Sequence, residues 1–160
     1  MSRPSSAHPV PSPPSTKSVL PAGALEITEE LAPLLLTLQV PASTRAAHEA
    51  RHQVKAQVGA WNIPFTKEAM GDLLLCLMEV VTNAVLHAGT DSTVTLWWTG
   101  DRLRVEVVDG NCRRPQPRAA TVGDPSGRGL ALVEELASRW GCERLSGEGK
   151  KVWFELDQAC

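Results

Sequence analysis

The alternation of hydrophobic and polar residues divides the chain into segments of different period. Residues 34–40 form a short apolar run before a proline, which is typical of a strand. Residues 43–61 repeat apolar side chains at spacings of three and four, the pattern of an amphipathic helix. Thr66 then offers an N-cap, and a richly apolar helix follows it to about Ala88. We expect this second helix to be the most buried one.

Strand patterns dominate the second half of the chain. Residues 93–99 and 102–108 are rich in β-branched and aromatic side chains, and the Gly-Asp pair between them predicts a hairpin. The remaining predicted elements are, in order, a long loop, a helix and a hairpin of two strands (residues 110–127, 129–140, 142–145 and 150–156). The order β-α-α-β-β-α-β-β predicts an α+β fold, a two-layer sandwich with a mixed, mostly antiparallel sheet and helices on one face.

Composition and charge narrow the picture. Of the 160 residues, the first 24 are rich in proline and serine and predict a disordered tail, which leaves residues 25–160 for one folded domain. The formal net charge of −2 gives no reason to expect direct binding to nucleic acid. No apolar run approaches the roughly 20 residues that cross a membrane. No apolar signal core is present near residue 1 and the four cysteines are widely spaced, so we expect a cytoplasmic protein with reduced thiols.

Three polar residues interrupt the apolar helix. Glu79, Asn83 and His87 are four residues apart and therefore form one stripe along it. Their sequence neighbours are apolar, which leaves little room for a solvated face. A buried carboxylate or amide must be paired or must face a ligand. At this point a solvated stripe and a ligand-binding stripe are both open.

Two further positions could contact a ligand. Asp109 ends a predicted strand, where it can accept a hydrogen bond from an exocyclic amine or can simply form a turn with Gly110. Gly127-Arg128-Gly129-Leu130 precedes a helix, where backbone N–H groups favour phosphate, although a flexible loop end has the same composition. The chain contains neither the P-loop motif nor a complete G-x-G-x-x-G motif. A nucleotide would therefore require another architecture.

One motif match points to different chemistry. His48, Glu49 and His52 fit the H-E-x-x-H pattern of zinc proteases. A helical projection places both histidines on the solvent side, and a catalytic zinc needs a third protein ligand and a sheltering cavity. A zinc hydrolase is therefore a distant alternative.

Four segments in sequence order resemble the motifs of one family. The chain is similar to the histidine-kinase-like ATPase superfamily (GHKL, Bergerat fold) and, more narrowly, to the bacterial anti-sigma-factor serine/threonine kinases. The similarity covers about residues 33–157. Its four segments are EVVTNAVLHAGT, VVDG, GRGLALV and GKKVWFEL (residues 79–90, 107–110, 127–133 and 149–156).

The resemblance implies roles for the residues at the phosphate end of a bound ATP. Glu79 would be the catalytic base that accepts the proton of an attacking hydroxyl. Asn83 would coordinate Mg²⁺, and His87 would either orient the Glu79 carboxylate or contact phosphate. Arg128 would neutralise part of the triphosphate charge. The GRGLALV segment (residues 127–133) contains Arg128 together with Gly127, Gly129 and Leu130. This segment would let residues 111–126 close over the phosphates as a lid.

At the base end, the resemblance implies that Asp109 accepts a hydrogen bond from the adenine amino group, with Gly110 completing that motif. Two positions depart from the family pattern. Asn111 stands where a glycine is common, and Lys151 corresponds to the threonine usual near the start of the last strand.

The resemblance also implies a function. Such a protein would use ATP and Mg²⁺ to phosphorylate serine or threonine on a STAS-type anti-anti-sigma protein, and it would thereby control a sigma factor. Pairing of two copies into a homodimer is open. The alternative is a module that binds nucleotide as a switch and transfers no phosphate. The presence of Glu79 favours the kinase, because a pure binder needs no base.

Overall fold

Five strands and three helices form the part of the chain that the computed structural model describes, residues 32–85, 89–111, 129–147 and 149–158. All of them lie in a unit that spans residues 31–160. In chain order they are β1 (Leu34–Val40), α1 (Thr44–Ala60), α2 (Lys67–Asn83), β2 (Ser92–Trp98), β3 (Arg102–Asp109), α3 (Gly129–Leu136), β4 (Arg139–Arg144) and β5 (Lys150–Asp157). The element order is the one predicted from the sequence. The predicted tail, residues 1–24, lies outside the described residues.

The strands form one sheet in the order β1-β2-β3-β5-β4, and every pairing among them is antiparallel. Helix α2 packs against β3 and β5, and α1 packs against β1 and α2. The core between the helices and the sheet is apolar, and its largest fully buried side chain is Phe154 of β5. The predicted two-layer α+β class is confirmed, and the sheet is antiparallel rather than mixed.

Helices α1 and α2 begin where the sequence predicts. The Ser43 hydroxyl accepts a hydrogen bond from the Ala46 N–H at 3.1 Å, and the Thr66 hydroxyl accepts one from the Ala69 N–H at 3.0 Å. Each cap satisfies a backbone donor that the first helical turn leaves unpaired. Glu68 adds negative charge to the first turn of α2, where the helix dipole favours it.

The boundary between α3 and β4 differs from the prediction. The sequence pattern extends the helix to Trp140, but α3 ends at Leu136 and β4 begins at Arg139. Trp140 lies opposite Phe154 in the β4–β5 ladder, and the Ser138 N–H donates to the carbonyl of Glu155 at 2.9 Å. Sheet pairing with β5 therefore overrides the helical spacing of these residues.

The sheet face opposite the helices carries a charged network rather than an apolar surface. The Arg104 guanidinium lies 4.0 Å from the centre of the Trp153 ring and donates to Glu106 and Glu155, each at 2.8 Å. These groups are paired with one another, so the network explains how two buried glutamates are accommodated. None of the described helices is both long and apolar enough to span a membrane.

Candidate functional site

The C-terminal half of α2 presents Glu79 and Asn83 one helical turn apart. The residues between them include Val80 and Val81, which are buried in the core, whereas Glu79 and Asn83 are half-buried. Because they are four residues apart, their side chains project from the same side of the helix. These two side chains are therefore neither fully exposed to solvent nor fully buried in the core. Partial burial of this kind is what we expect for groups that contact a ligand. The third predicted member of the stripe, His87, lies outside the described residues.

Gly129, the first residue of α3, lies directly against Glu79. A methyl group at Gly129 would collide with Oε2 of Glu79 and would lie 3.3 Å from its Cδ. An added methyl group would therefore have to displace the end of the Glu79 side chain. The structure thus brings together two predicted site residues that are 50 positions apart in the chain.

This contact predicts a coupling between the two positions. Gly129→Ala should destabilise the wild-type fold by about 1 kcal/mol, because the new methyl group must displace the Glu79 carboxylate. In a Glu79→Ala background the same change should be neutral or stabilising, since alanine favours a helix more than glycine does. Urea unfolding of the four proteins measures the difference. Equal effects of Gly129→Ala in both backgrounds would show that the two residues do not touch.

Asp109 lies at the end of β3 with only 4% of its surface exposed. Its Oδ1 accepts a hydrogen bond from the Asn111 N–H at 2.8 Å, which holds the turn that follows the strand. Both carboxylate oxygens contact the ammonium of Lys150, at 3.0 Å from Oδ1 and 2.9 Å from Oδ2. The Lys150 side chain is 5% exposed, so this is a buried ion pair.

Lys150 is the site residue that sequence reasoning missed. In the β3–β5 register it is the direct partner of Asp109. Lys151 is the residue that the sequence resemblance aligns with the family's threonine. Its ammonium contacts the carboxylates of Glu143 at 3.2 Å and Glu106 at 3.6 Å on the other face of the sheet. The alternation of β5 could have revealed this, because Val152 is buried in the core and a residue two positions earlier shares its face.

The loop before β2 supports the turn after Asp109. The hydroxyl of Thr90 accepts a hydrogen bond from the Gly110 N–H at 3.1 Å. Gly89 has a φ of 63°, a left-handed conformation in which glycine is favoured over other residues. The predicted motif that ends α2 therefore touches the predicted motif that ends β3.

A buried thiol lies one helical turn before Glu79. Cys76 is fully buried on α2 and is a free thiol. Burial, and then the negative charges of Asp72 and Glu79, raise the pKa of Cys76 to about 12. The group therefore stays protonated and inert at neutral pH.

The remaining predicted residues fall into three groups. Leu130 is buried in the first turn of α3. Gly127 and Arg128, together with most of the predicted lid, lie outside the described residues. His48, Glu49 and His52 are exposed on α1, where the carboxylate of Glu49 pairs with Arg45 at 2.9 Å. Among the described residues no group of three or more His, Cys, Asp or Glu side chains is arranged to hold a metal.

Comparison with known proteins identifies the family. Residues 40–156, well over half of the chain, match the model of the histidine kinase-like ATPase domain. The chain belongs to this family. Glu79, Asn83 and Asp109 all lie within the matched region, so the site described above falls inside a histidine kinase-like ATPase domain.

Two individual proteins resemble this ATPase domain. An uncharacterized protein of Streptomyces coelicolor, SCO4941, is 38% identical over an alignment of 73 residues that covers 42% of this chain and 70% of that protein. The crystal structure of the RsbU and RsbW domains of Rv1364c from Mycobacterium tuberculosis superposes with a TM-score of 0.60 at 20% identity. The alignment covers 78% of this chain and about a third, 32%, of the mycobacterial chain. That likeness supports the fold.

Proposed function

We propose that this domain binds ATP with Mg²⁺ and transfers the γ-phosphate to serine or threonine of a partner protein. The observation that carries the proposal is the placement of Glu79 and Asn83 one turn apart on α2, with Glu79 held against the start of α3. Membership of the histidine kinase-like ATPase family supports ATP as the nucleotide.

The residues present fit a magnesium–ATP complex. The Asn83 side chain offers a neutral oxygen, a ligand type that Mg²⁺ accepts. Glu79 places a carboxylate on the same side of the helix, where it would serve as the base. Asp109 offers a buried acceptor for the purine amino group. Gly129 keeps space beside the Glu79 carboxylate that any Cβ would fill. When bound, Mg²⁺ would offset the charge of the phosphate oxygens.

In the proposed reaction the protein supplies position and a base. Glu79 accepts the proton of the attacking serine or threonine hydroxyl while the oxygen of that hydroxyl bonds to the γ-phosphorus. The bond from that phosphorus to the bridging oxygen breaks at the same time, and ADP leaves with the electron pair. The backbone at Gly127 and Gly129 and the Arg128 guanidinium are proposed to face the phosphates, and His87 to support Glu79 or the phosphates.

The proposed partner is a STAS-type anti-anti-sigma protein, and the proposed outcome is control of a sigma factor. The sequence resemblance to anti-sigma-factor kinases supports this choice, as does a structural neighbour that contains a domain named RsbW. The proposed setting is the cytoplasm, without direct contact with nucleic acid or membrane. Pairing of two copies is compatible with the proposal.

Phosphotransfer from labelled ATP tests the proposal. The full chain is incubated with Mg²⁺, γ-labelled ATP and the STAS-type proteins of its own cell. We expect label on a serine or threonine of one of them, located by mass spectrometry. If ATP binds and no partner is labelled, the domain is a nucleotide-dependent switch and the kinase proposal is wrong.

A further inference from the structure

The ion pair between Lys150 and Asp109 changes what a purine would meet at the base end of the site. The ammonium of Lys150 lies 2.9 Å from Oδ2 and 3.0 Å from Oδ1 of Asp109, and both side chains are almost fully buried. Separating them would leave a buried charge without a partner, which is far more costly than keeping the pair. A base that reaches Asp109 therefore meets a positive donor and a negative acceptor side by side.

One contact of the Lys150 ammonium is weak enough for an acceptor on a ligand to replace it. An ammonium carries three N–H donors. The contact beyond Asp109 is with the carbonyl oxygen of Asn111 at 3.3 Å, near the long limit of a hydrogen bond. An acceptor atom on a ligand would compete well for this donor. Similarly, Oδ2 of Asp109 is engaged by Lys150 alone among the described contacts, which leaves one of its lone pairs for a ligand donor.

We propose that Lys150 is a second residue that recognises the purine. Its ammonium donates a hydrogen bond directly to the ring nitrogen next to the amino group, and that amino group donates to Asp109. The inference rests on the proposed ATP site. The Watson–Crick edge of adenine presents an amino donor next to the ring acceptor N1, and Asp109 and Lys150 present the complementary acceptor and donor. The opposite arrangement, in which Lys150 blocks Asp109 and must leave before a base binds, predicts opposite effects of substitution.

The first measurement uses the unmodified protein. Calorimetry compares magnesium complexes of ATP and of 1-deaza-ATP, in which a CH group replaces N1. We expect 1-deaza-ATP to bind between about tenfold and a hundredfold more weakly, the range for a lost hydrogen bond to a charged group. Equal affinities would overturn the role of Lys150 and leave the ATP site intact. Failure of both nucleotides to bind would overturn the ATP site itself.

Variants at Lys150 then decide whether this residue is the donor. Lys150→Met should weaken ATP binding at least tenfold and should remove the preference for ATP over 1-deaza-ATP, whereas Lys150→Arg, which keeps a positive donor, should retain part of it. If the ion pair is purely structural, Lys150→Met should weaken the binding of both nucleotides equally and should keep the preference for ATP over 1-deaza-ATP. Tighter ATP binding by Lys150→Met would show that Lys150 blocks the site. Either result overturns the proposal.

A spectroscopic readout keeps the test independent of how well Lys150→Met folds. In ¹⁵N-lysine-labelled wild-type protein, the ammonium signal of Lys150 is assigned by its absence in Lys150→Arg. We expect ATP to shift this signal and 1-deaza-ATP to leave it near its free position. The same response to both nucleotides would exclude a hydrogen bond from Lys150 to N1.

Discussion

Asp109→Asn is expected to weaken ATP binding between about tenfold and a hundredfold. The proposed hydrogen bond from the adenine amino group is assisted by the negative charge of the Asp109 carboxylate, and such bonds are worth about 1.5–3 kcal/mol. The amide oxygen of asparagine can still accept, but it carries no charge, and its NH₂ group would face the Lys150 ammonium. Calorimetry with ATP and Mg²⁺ measures the change. Unchanged affinity in a folded Asp109→Asn protein would contradict the adenine role.

The buried ion pair makes this substitution less conservative than its shape suggests. Asp109→Asn leaves the Lys150 ammonium buried without its counter-charge, and breaking one partner of such a pair costs about 3–5 kcal/mol. The double variant Asp109→Asn with Lys150→Met removes both charges and should recover most of that stability. Its ATP affinity should still be at least about tenfold below that of the wild-type chain, because the charge that assists the adenine hydrogen bond is absent.

Glu155→Gln is the matched control for lost stability. Glu155 is also a buried carboxylate, and it pairs with Arg104 on the sheet face opposite the helices. Its substitution should lower the melting temperature and leave ATP affinity unchanged. If Glu155→Gln lost ATP binding to the same degree as Asp109→Asn, the loss would reflect general destabilisation and not a contact with the base.

Glu79→Gln is expected to slow phosphotransfer by a factor of about 10² or more while ATP affinity stays within about twofold. Glutamine has the same shape, so it preserves the packing against Gly129, but it cannot accept the hydroxyl proton. General bases typically contribute factors of about 10²–10⁴. Single-turnover transfer from labelled ATP to the partner protein measures the rate, and calorimetry measures the affinity.

Asp72→Asn provides the matched control for Glu79→Gln. Asp72 lies on the same helix two turns earlier, and the substitution removes the same charge. It should transfer phosphate at the wild-type rate. A Glu79→Gln protein that also kept the wild-type rate would show that Glu79 is not the base.

Local signals in the sequence predicted most of the fold. Ser43 and Thr66 have side chains that cap a helix, and apolar residues of matching period follow each of them, so both helix starts were predictable. The Gly-Asp pair before Arg102 likewise marked a hairpin, because two-residue turns need such residues. These features depend on neighbours in sequence, which a single sequence displays.

Features that depend on distant partners were not predictable in the same way. Trp140 continues the apolar spacing of α3, and only its pairing with Phe154 in β5 places it in a strand. The same holds for Lys150, whose partner is 41 residues away in the chain. A lysine near a strand start is ordinarily solvent-exposed, and the register between β3 and β5 is what buries it.

In the candidate site, too, features set by nearby residues were predictable from the sequence and features set by distant residues were not. Spacing within one helix predicted that Glu79 and Asn83 share a side, and the structure agrees. Their chemical roles came from resemblance to a family and remain predictions. The contact between Glu79 and Gly129 joins two motifs across the fold, which spacing alone could not reveal.

Titration of the folded wild-type chain with ATP in the presence of Mg²⁺ tests the central claim most directly. The site should give a saturable heat of binding with a stoichiometry near one nucleotide per chain, and omission of Mg²⁺ should weaken it. Absence of any heat with ATP or another purine triphosphate, from protein shown to be folded by circular dichroism, would contradict the account.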